Sequence, residues 1–136
     1  MKTLLTNAKV IDPLTETISD GEVMFEDGII ISKETADETI DCQGQYVSPG
    51  LIDLGVKVGE PGERHKESYK SAGAAAAAGG VTTIVTRPDT IPAIDTPEVL
   101  EFIRRRAQEV CPVNVFHMVA LTKERAGREM TEIGFL

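Results

Sequence analysis

Lys57 is the residue whose position could do the most chemistry. It stands in the strand-like run Leu51 to Gly59, LIDLGVKVG, and side chains along a strand alternate between two faces. Leu54, Val56 and Val58 fall on one face; Asp53, Gly55, Lys57 and Gly59 fall on the other. A lysine on an inward face can pair with a carboxylate, bind an anion, or act as a catalytic amine of depressed pKa. Pairing with Asp53 or Asp89 is the expectation, because interior charge is costly unless compensated. No companion acid or base for amine catalysis is identifiable in the sequence.

The other reactive residues are sparse. The two histidines are His65 and His117. His65 follows Glu60-Pro61-Gly62 in a polar loop and reads as solvent-exposed. His117 lies between Phe116 and Met118 in a strand and reads as structural, since one imidazole without a matching partner is a poor zinc site. Cys42 and Cys111 have no Cys-x-x-Cys spacing and read as small buried hydrophobes in a reducing compartment. Gly79-Gly80 reads as a helix stop and not a phosphate loop, because no lysine or serine follows at the required spacing. Arg104-Arg105-Arg106 reads as the solvent face and last turns of a helix, where cations suit the dipole; a phosphate or partner-carboxylate patch is the other reading.

These residues need elements to hold them. Residues 1–49 read as a small antiparallel β unit, part of a β-sandwich: Leu4 to Ile11, then Glu22 to Phe25 and Ile29 to Ile31 about Asp27-Gly28, a hairpin signal. Thr39 to Asp41 and Tyr46-Val47 follow as short strands. From residue 50 the texture alternates. Leu51 to Val58 is strand-like, Glu67 to Ala78 has strong helix propensity, and the Ala74 to Ala78 run suits close packing on strands. Val81 to Thr86 (VTTIVT) is β-branched. Thr96 with Pro97 starts a helix carrying Val99, Ile103, Ala107 and Val110 at helical spacing. Val113 to Leu121 reads as a third strand, and Gly127 to Ile133 as a further helical turn. Residues 50–136 thus read as three βα units of a parallel sheet with right-handed crossovers. A (β/α)₈ barrel takes about 250 residues, so this is expected to be the N-terminal portion of one.

Composition narrows the function classes. With 41% hydrophobic and 26% charged residues, the 136-residue chain suits a soluble globular domain. Aromatics are only 4% and Trp is absent, so aliphatic residues must fill the core. The net charge of −8 argues against nucleic-acid binding. No apolar run approaches the roughly 18 residues of a membrane span, and no signal peptide is recognisable, so a cytoplasmic location is expected.

The chain resembles cyclic amidohydrolases of the dihydroorotase type. The resemblance is carried by Ser48-Pro49-Gly50-Leu51-Ile52-Asp53, Glu60-Pro61-Gly62, His65-Lys66-Glu67, and Ala75 to Ala78 followed by Gly79-Gly80-Val81-Thr82-Thr83. Arg87-Pro88-Asp89-Thr90 falls where the family has Met-Pro-Asn-Thr, and Leu121-Thr122-Lys123 with Gly127 matches a further stretch. The resemblance implies an amidohydrolase (β/α)₈ barrel preceded by part of a small β-sandwich, and a place in pyrimidine biosynthesis.

The departures decide what the resemblance implies about activity. The family's first strand carries His-x-His, which holds a pair of zinc ions that polarise the amide and activate water. Gly55-Val56-Lys57 stands there; glycine offers no ligand, and a protonated lysine repels a cation. The family's arginine two residues later, a carboxylate clamp, is Gly59, and the family's substrate-binding asparagine is Asp89. Three lost contacts at roughly 1.5–3 kcal/mol each would remove useful affinity. Lys57, Gly59 and Asp89 are thus expected to be the vestige of a substrate pocket, with no catalytic residue, metal or other cofactor in this chain. The implied role is a non-catalytic scaffold, an oligomer with aspartate carbamoyltransferase or an active dihydroorotase paralogue. The alternative is an active zinc amidohydrolase, acting on dihydroorotate or another cyclic amide with ligands from later strands.

Overall fold

The computed structural model describes residues 1–136, and β1 (Lys2–Asp12) is the strand on which the first part of the chain is assembled. Asp12 turns the chain by accepting a hydrogen bond from the Leu14 amide at 2.9 Å, and β2 (Thr17–Glu26) returns antiparallel to β1. Asp27 and Gly28 both adopt positive φ, 50° and 79°, which matches the twist of a tight hairpin. They lead into β3 (Ile29–Ile31), antiparallel to β2. Thr3, Ala8 and Met24 are buried here.

The unit is not wholly antiparallel, which corrects the expectation for residues 1–49. β4 (Glu38–Asp41) and β5 (Tyr46–Val47) both pair parallel with β1, giving the order β3-β2-β1-β4 with β5 further along β1. The reason is topological. After two hairpins β3 already runs in the direction of β1, and residues 32–37 cross to the far edge without reversing.

By its contacts the chain divides into Met1–Pro49 and Gly50–Leu136. The second unit alternates as expected: β6 (Leu51–Val56), α1 (Tyr69–Ala78), β7 (Val81–Thr86), α2 (Pro97–Val110) and β8 (Asn114–His117). The strands form a parallel sheet in the order β6-β7-β8. α1 starts two residues later than propensity suggests, because Ser68 and Ser71 exchange the bonds of a capping box. The Thr96 side chain caps α2 through the Val99 amide, with Pro97 at the first position. Both helices cover one face of the sheet. Val58, Tyr69, Ala72, Ile94, Ile103 and Ala107 make the core, with Val56, Val99 and Val115 packed against it.

Three details differ from the sequence reading. The alanines of the Ala74 to Ala78 run are largely exposed; the close approach is made by Gly73, where a Cβ would meet Cys111 Sγ at 2.4 Å. β8 stops at His117, the register partner of Thr86 where β7 itself ends, and beyond it the Ala120 amide turns to the Ile94 carbonyl. The third strand is not followed by an α-helix. Positive φ at Glu124, Arg125 and Gly127 breaks the turn, leaving short 3-10 turns at Lys123–Arg125 and Ile133–Phe135. Thr131 then ties back to the Ala120 carbonyl through its hydroxyl at 2.8 Å.

Candidate functional site

The end of β6 does not follow simple alternation. Asp53 pairs with Ile84 and Leu54 with Val85, but Val56 pairs with Thr86, so Gly55 is an extra residue in the ladder. Such a bulge re-aims the side chains on either side of it. Gly55 has φ of 85°, in the left-handed region, which glycine adopts at little cost and other residues rarely do. Register partners share a face, so Val56, Thr86 and His117 lie on the helix-covered side, where Val115 packs against the core. Leu54, Val85 and Phe116 lie on the open side, and Leu54 is 71% exposed. The expected grouping of Leu54 with Val56 and Val58 is therefore wrong, and the bulge is the reason.

Lys57 follows the bulge and lies beside two carboxylates, although its side chain is 52% exposed and so not the interior charge the sequence suggested. Its Nζ is 3.4 Å from Asp89 Oδ2 and 3.8 Å from Glu63 Oε2. Asp53, the other expected partner, is exposed. Arg87 Nη2 donates to the same Asp89 oxygen at 2.9 Å, so two cations flank one carboxylate whose side chain is 8% exposed. Asp89 Oδ1 is buried without a partner. Lys66 also bonds Glu63. That hydrogen bond, more than Lys57, holds the Glu63 carboxyl below its usual range. The contribution of Arg87 was legible only as an Arg-x-Asp spacing.

Gly59 is buried, and its surroundings are as restrictive as the torsion at Gly55. A Cβ there would lie 2.5 Å from the Glu63 carbonyl oxygen and 3.0 Å from that of Glu67. The turn that presses on it is closed by the Glu63 amide donating to the Gly59 carbonyl at 2.6 Å. No side chain, arginine least of all, fits at this position without moving the loop.

The neighbouring Glu60 organises the same loop. Its buried carboxylate accepts from Arg106 Nε at 2.9 Å and from the Tyr69 amide at 3.1 Å. Arg106 thus turns inward from α2, while Arg104 and Arg105 stay exposed. The arginine run is not a uniform solvent face, nor does it fill the last turn of α2, which has no basic residue.

The histidines stand apart. His65 is exposed. His117 lies on the helix-covered side, with Nδ1 2.8 Å from Thr86 Oγ1 and its ring edge-on to Tyr69 at 5.8 Å. Burial, aided by the charge of Arg104, pushes its pKa down to about 4. Burial also pushes the Tyr69 phenol up to about 12. Cys42 and Cys111 are free and half-buried, less enclosed than expected.

The zinc pair implied by the resemblance can be tested against these residues. No three His, Cys, Asp or Glu side chains are grouped to hold a metal ion. Position 55 offers no donor, and position 57 offers an ammonium already paired with Asp89 and Glu63. The residues present do not fit the metal. What stands there instead is a cluster of opposite charges, Lys57 and Arg87 beside Asp89 and Glu63.

Comparison with known proteins places this geometry in a family. The dihydro-orotase-like family model matches residues 44–136. The chain is 42% identical to a dihydroorotase of Wolbachia sp. subsp. Drosophila simulans (strain wRi), over 95% of this chain and 31% of that protein. It is 38% identical to a dihydroorotase of Endomicrobium trichonymphae, over 100% of this chain and 33% of that protein. The chain therefore spans about a third of the length of these relatives. Among solved structures it is similar to the L-hydantoinase (dihydropyrimidinase) of Arthrobacter aurescens, with a TM-score of 0.81 and 21% identity over 88% of this chain and 28% of that one. A D-hydantoinase structure matches with a TM-score of 0.72 and 22% identity, over 90% of this chain and 28% of that one. At these identities the likeness speaks for the fold alone, and it bears out the expected α/β class.

Proposed function

The chain belongs to the dihydroorotase-like family, and from that premise we propose that it is a non-catalytic homologue acting as a scaffold in pyrimidine biosynthesis. The observation that carries this reading is the state of Lys57. Its ammonium, at the position where the resemblance puts the family's second imidazole, is 3.4 Å from Asp89. A metal ligand must offer a lone pair; a protonated amine held between two carboxylates offers none. Gly55 supplies no donor beside it, and Gly59 no clamp for a substrate carboxylate.

In this reading the chain's residues bind and position, and none reacts. Asp89 and Glu63 neutralise Lys57 and Arg87, and Glu60 anchors the loop between β6 and α1 to α2 through Arg106. The fold is retained for assembly in a cytoplasmic complex, with the (β/α)₈ barrel completed by further strands. The partner is aspartate carbamoyltransferase or an active dihydroorotase paralogue. Size-exclusion chromatography of the full-length protein mixed with each candidate tests this. The expected result is a co-eluting complex together with less than a tenth of a zinc ion per chain by elemental analysis. Separate elution from both candidates under all conditions would overturn the scaffold role.

A second reading is favoured by the 42% identity to a protein named dihydroorotase: an active zinc amidohydrolase that takes its ligands from later strands. Zinc at one or more ions per full-length chain, with hydrolysis of dihydroorotate that a chelator abolishes, would establish it.

A further inference from the structure

We infer that the end of β6 and the segment that follows it are closed to metal and substrate by their backbone as well as their side chains: Gly55 by torsion, Gly59 by contact with the following loop, and Lys57 by its ion pairs. The inference rests on the reading above and adds to it. Loss of two imidazoles and an arginine is a statement about side chains, which a few substitutions could reverse. The geometry points to a deeper change that those substitutions would not undo.

Three observations carry it. Gly55 is at φ of 85°, and a Cβ there would meet nothing within 4 Å. The obstacle to a side chain at this position is therefore torsion and not space. A non-glycine residue in the left-handed region is strained, with Asn and Asp the better tolerated. The bulge it forms shifts the register between Leu54 and Val56, so simple alternation along the strand does not hold through residue 55. At Gly59 the obstacle is space: a Cβ would stand 2.5 Å from a backbone oxygen of Glu63, which is not a flexible side-chain tip and can yield only if the loop moves. That loop carries Glu63, one of the two carboxylates that hold Lys57. A side chain at 59 thus displaces the group that neutralises position 57.

The test separates torsion from space and both from metal binding, using the full-length protein. Gly55→Ala, Gly55→Asn and Gly59→Ala are compared by thermal unfolding, and Gly55→His/Lys57→His is titrated with zinc chloride by calorimetry. The expected result is a loss of several degrees in Gly55→Ala, a smaller loss in Gly55→Asn, and a loss in Gly59→Ala at least as large as in Gly55→Ala. Gly55→His/Lys57→His is expected to bind zinc no more tightly than the parent. If Gly55→Ala and Gly59→Ala melt with the parent, or Gly55→Asn loses as much as Gly55→Ala, the backbone is not the barrier and the inference fails. Stoichiometric micromolar zinc binding by Gly55→His/Lys57→His also overturns it, while a metal-free parent leaves the non-catalytic reading standing. Zinc binding by the unmodified parent overturns the non-catalytic reading alone; tighter zinc binding by Gly55→His/Lys57→His than by the parent overturns the inference.

Discussion

Glu60 and His117 show how single buried groups set the stability of this region. Glu60 keeps its charge under cover because Arg106 meets it at 2.9 Å and the Tyr69 amide at 3.1 Å. Removing one partner leaves a buried carboxylate short of compensation, a change that typically costs 3–5 kcal/mol. Arg64, 3.6 Å away and largely exposed, offsets part of that. Arg106→Met should therefore destabilise the protein by about 3 kcal/mol in urea unfolding, and a loss below about 1 kcal/mol would show that Arg64 suffices. His117 gives a pH dependence of determined sign. Its folded-state pKa, about 4, lies below the ordinary 6.5, so the unfolded chain takes up the proton first. Its contribution is fully retained above about pH 6.5 and is lost as pH falls through the window from 6.5 to 4. The slope of stability against pH in that window should shrink in His117→Gln, which keeps an uncharged partner for Thr86.

At the scale of elements, α1 is held close by one residue, Gly73, and not by its row of alanines. A Cβ at 73 would meet Cys111 Sγ at 2.4 Å and Pro112 Cδ at 2.6 Å. Overpacking of this kind costs about 1–3 kcal/mol, against about 1 kcal/mol gained in helix propensity. Gly73→Ala should lower the unfolding midpoint, and adding Cys111→Ala should restore part of it; a stabilised Gly73→Ala would show that the end of α2 yields freely. The elements themselves were legible where composition and capping agree. The β-branched Val81 to Thr86 became β7, and Thr96-Pro97 opened α2, because both signals are local. The bulge at Gly55 was not legible: a glycine in a strand is compatible with ordinary alternation, and only the ladder with β7 shows the extra residue. The pairing of Lys57 with Asp89 could be anticipated from the cost of an uncompensated charge. The bond from Arg106 to Glu60 could not, since the two lie 46 positions apart and nothing local marks which of three arginines turns inward.

At the scale of the molecule, the helices protect one side of the second unit's sheet and leave the other open. Leu51, Ile52, Leu54 and Phe116 are 58%, 65%, 71% and 62% exposed, and β6 and β8 each have one edge without a strand neighbour. Bare edges beside an oily row form a template for other chains. In colloidal terms residues 50–136 are adhesive when nothing shields them, which matters while a polypeptide is still emerging from the ribosome. Released alone at micromolar concentration, this segment should scatter light increasingly with concentration and brighten a hydrophobic dye, and Ile52→Lys should quiet both signals. Dispersed monomers without that change would mean the row is less sticky than it looks. A cell making such a chain has reason to keep a chaperone close until its flank is covered.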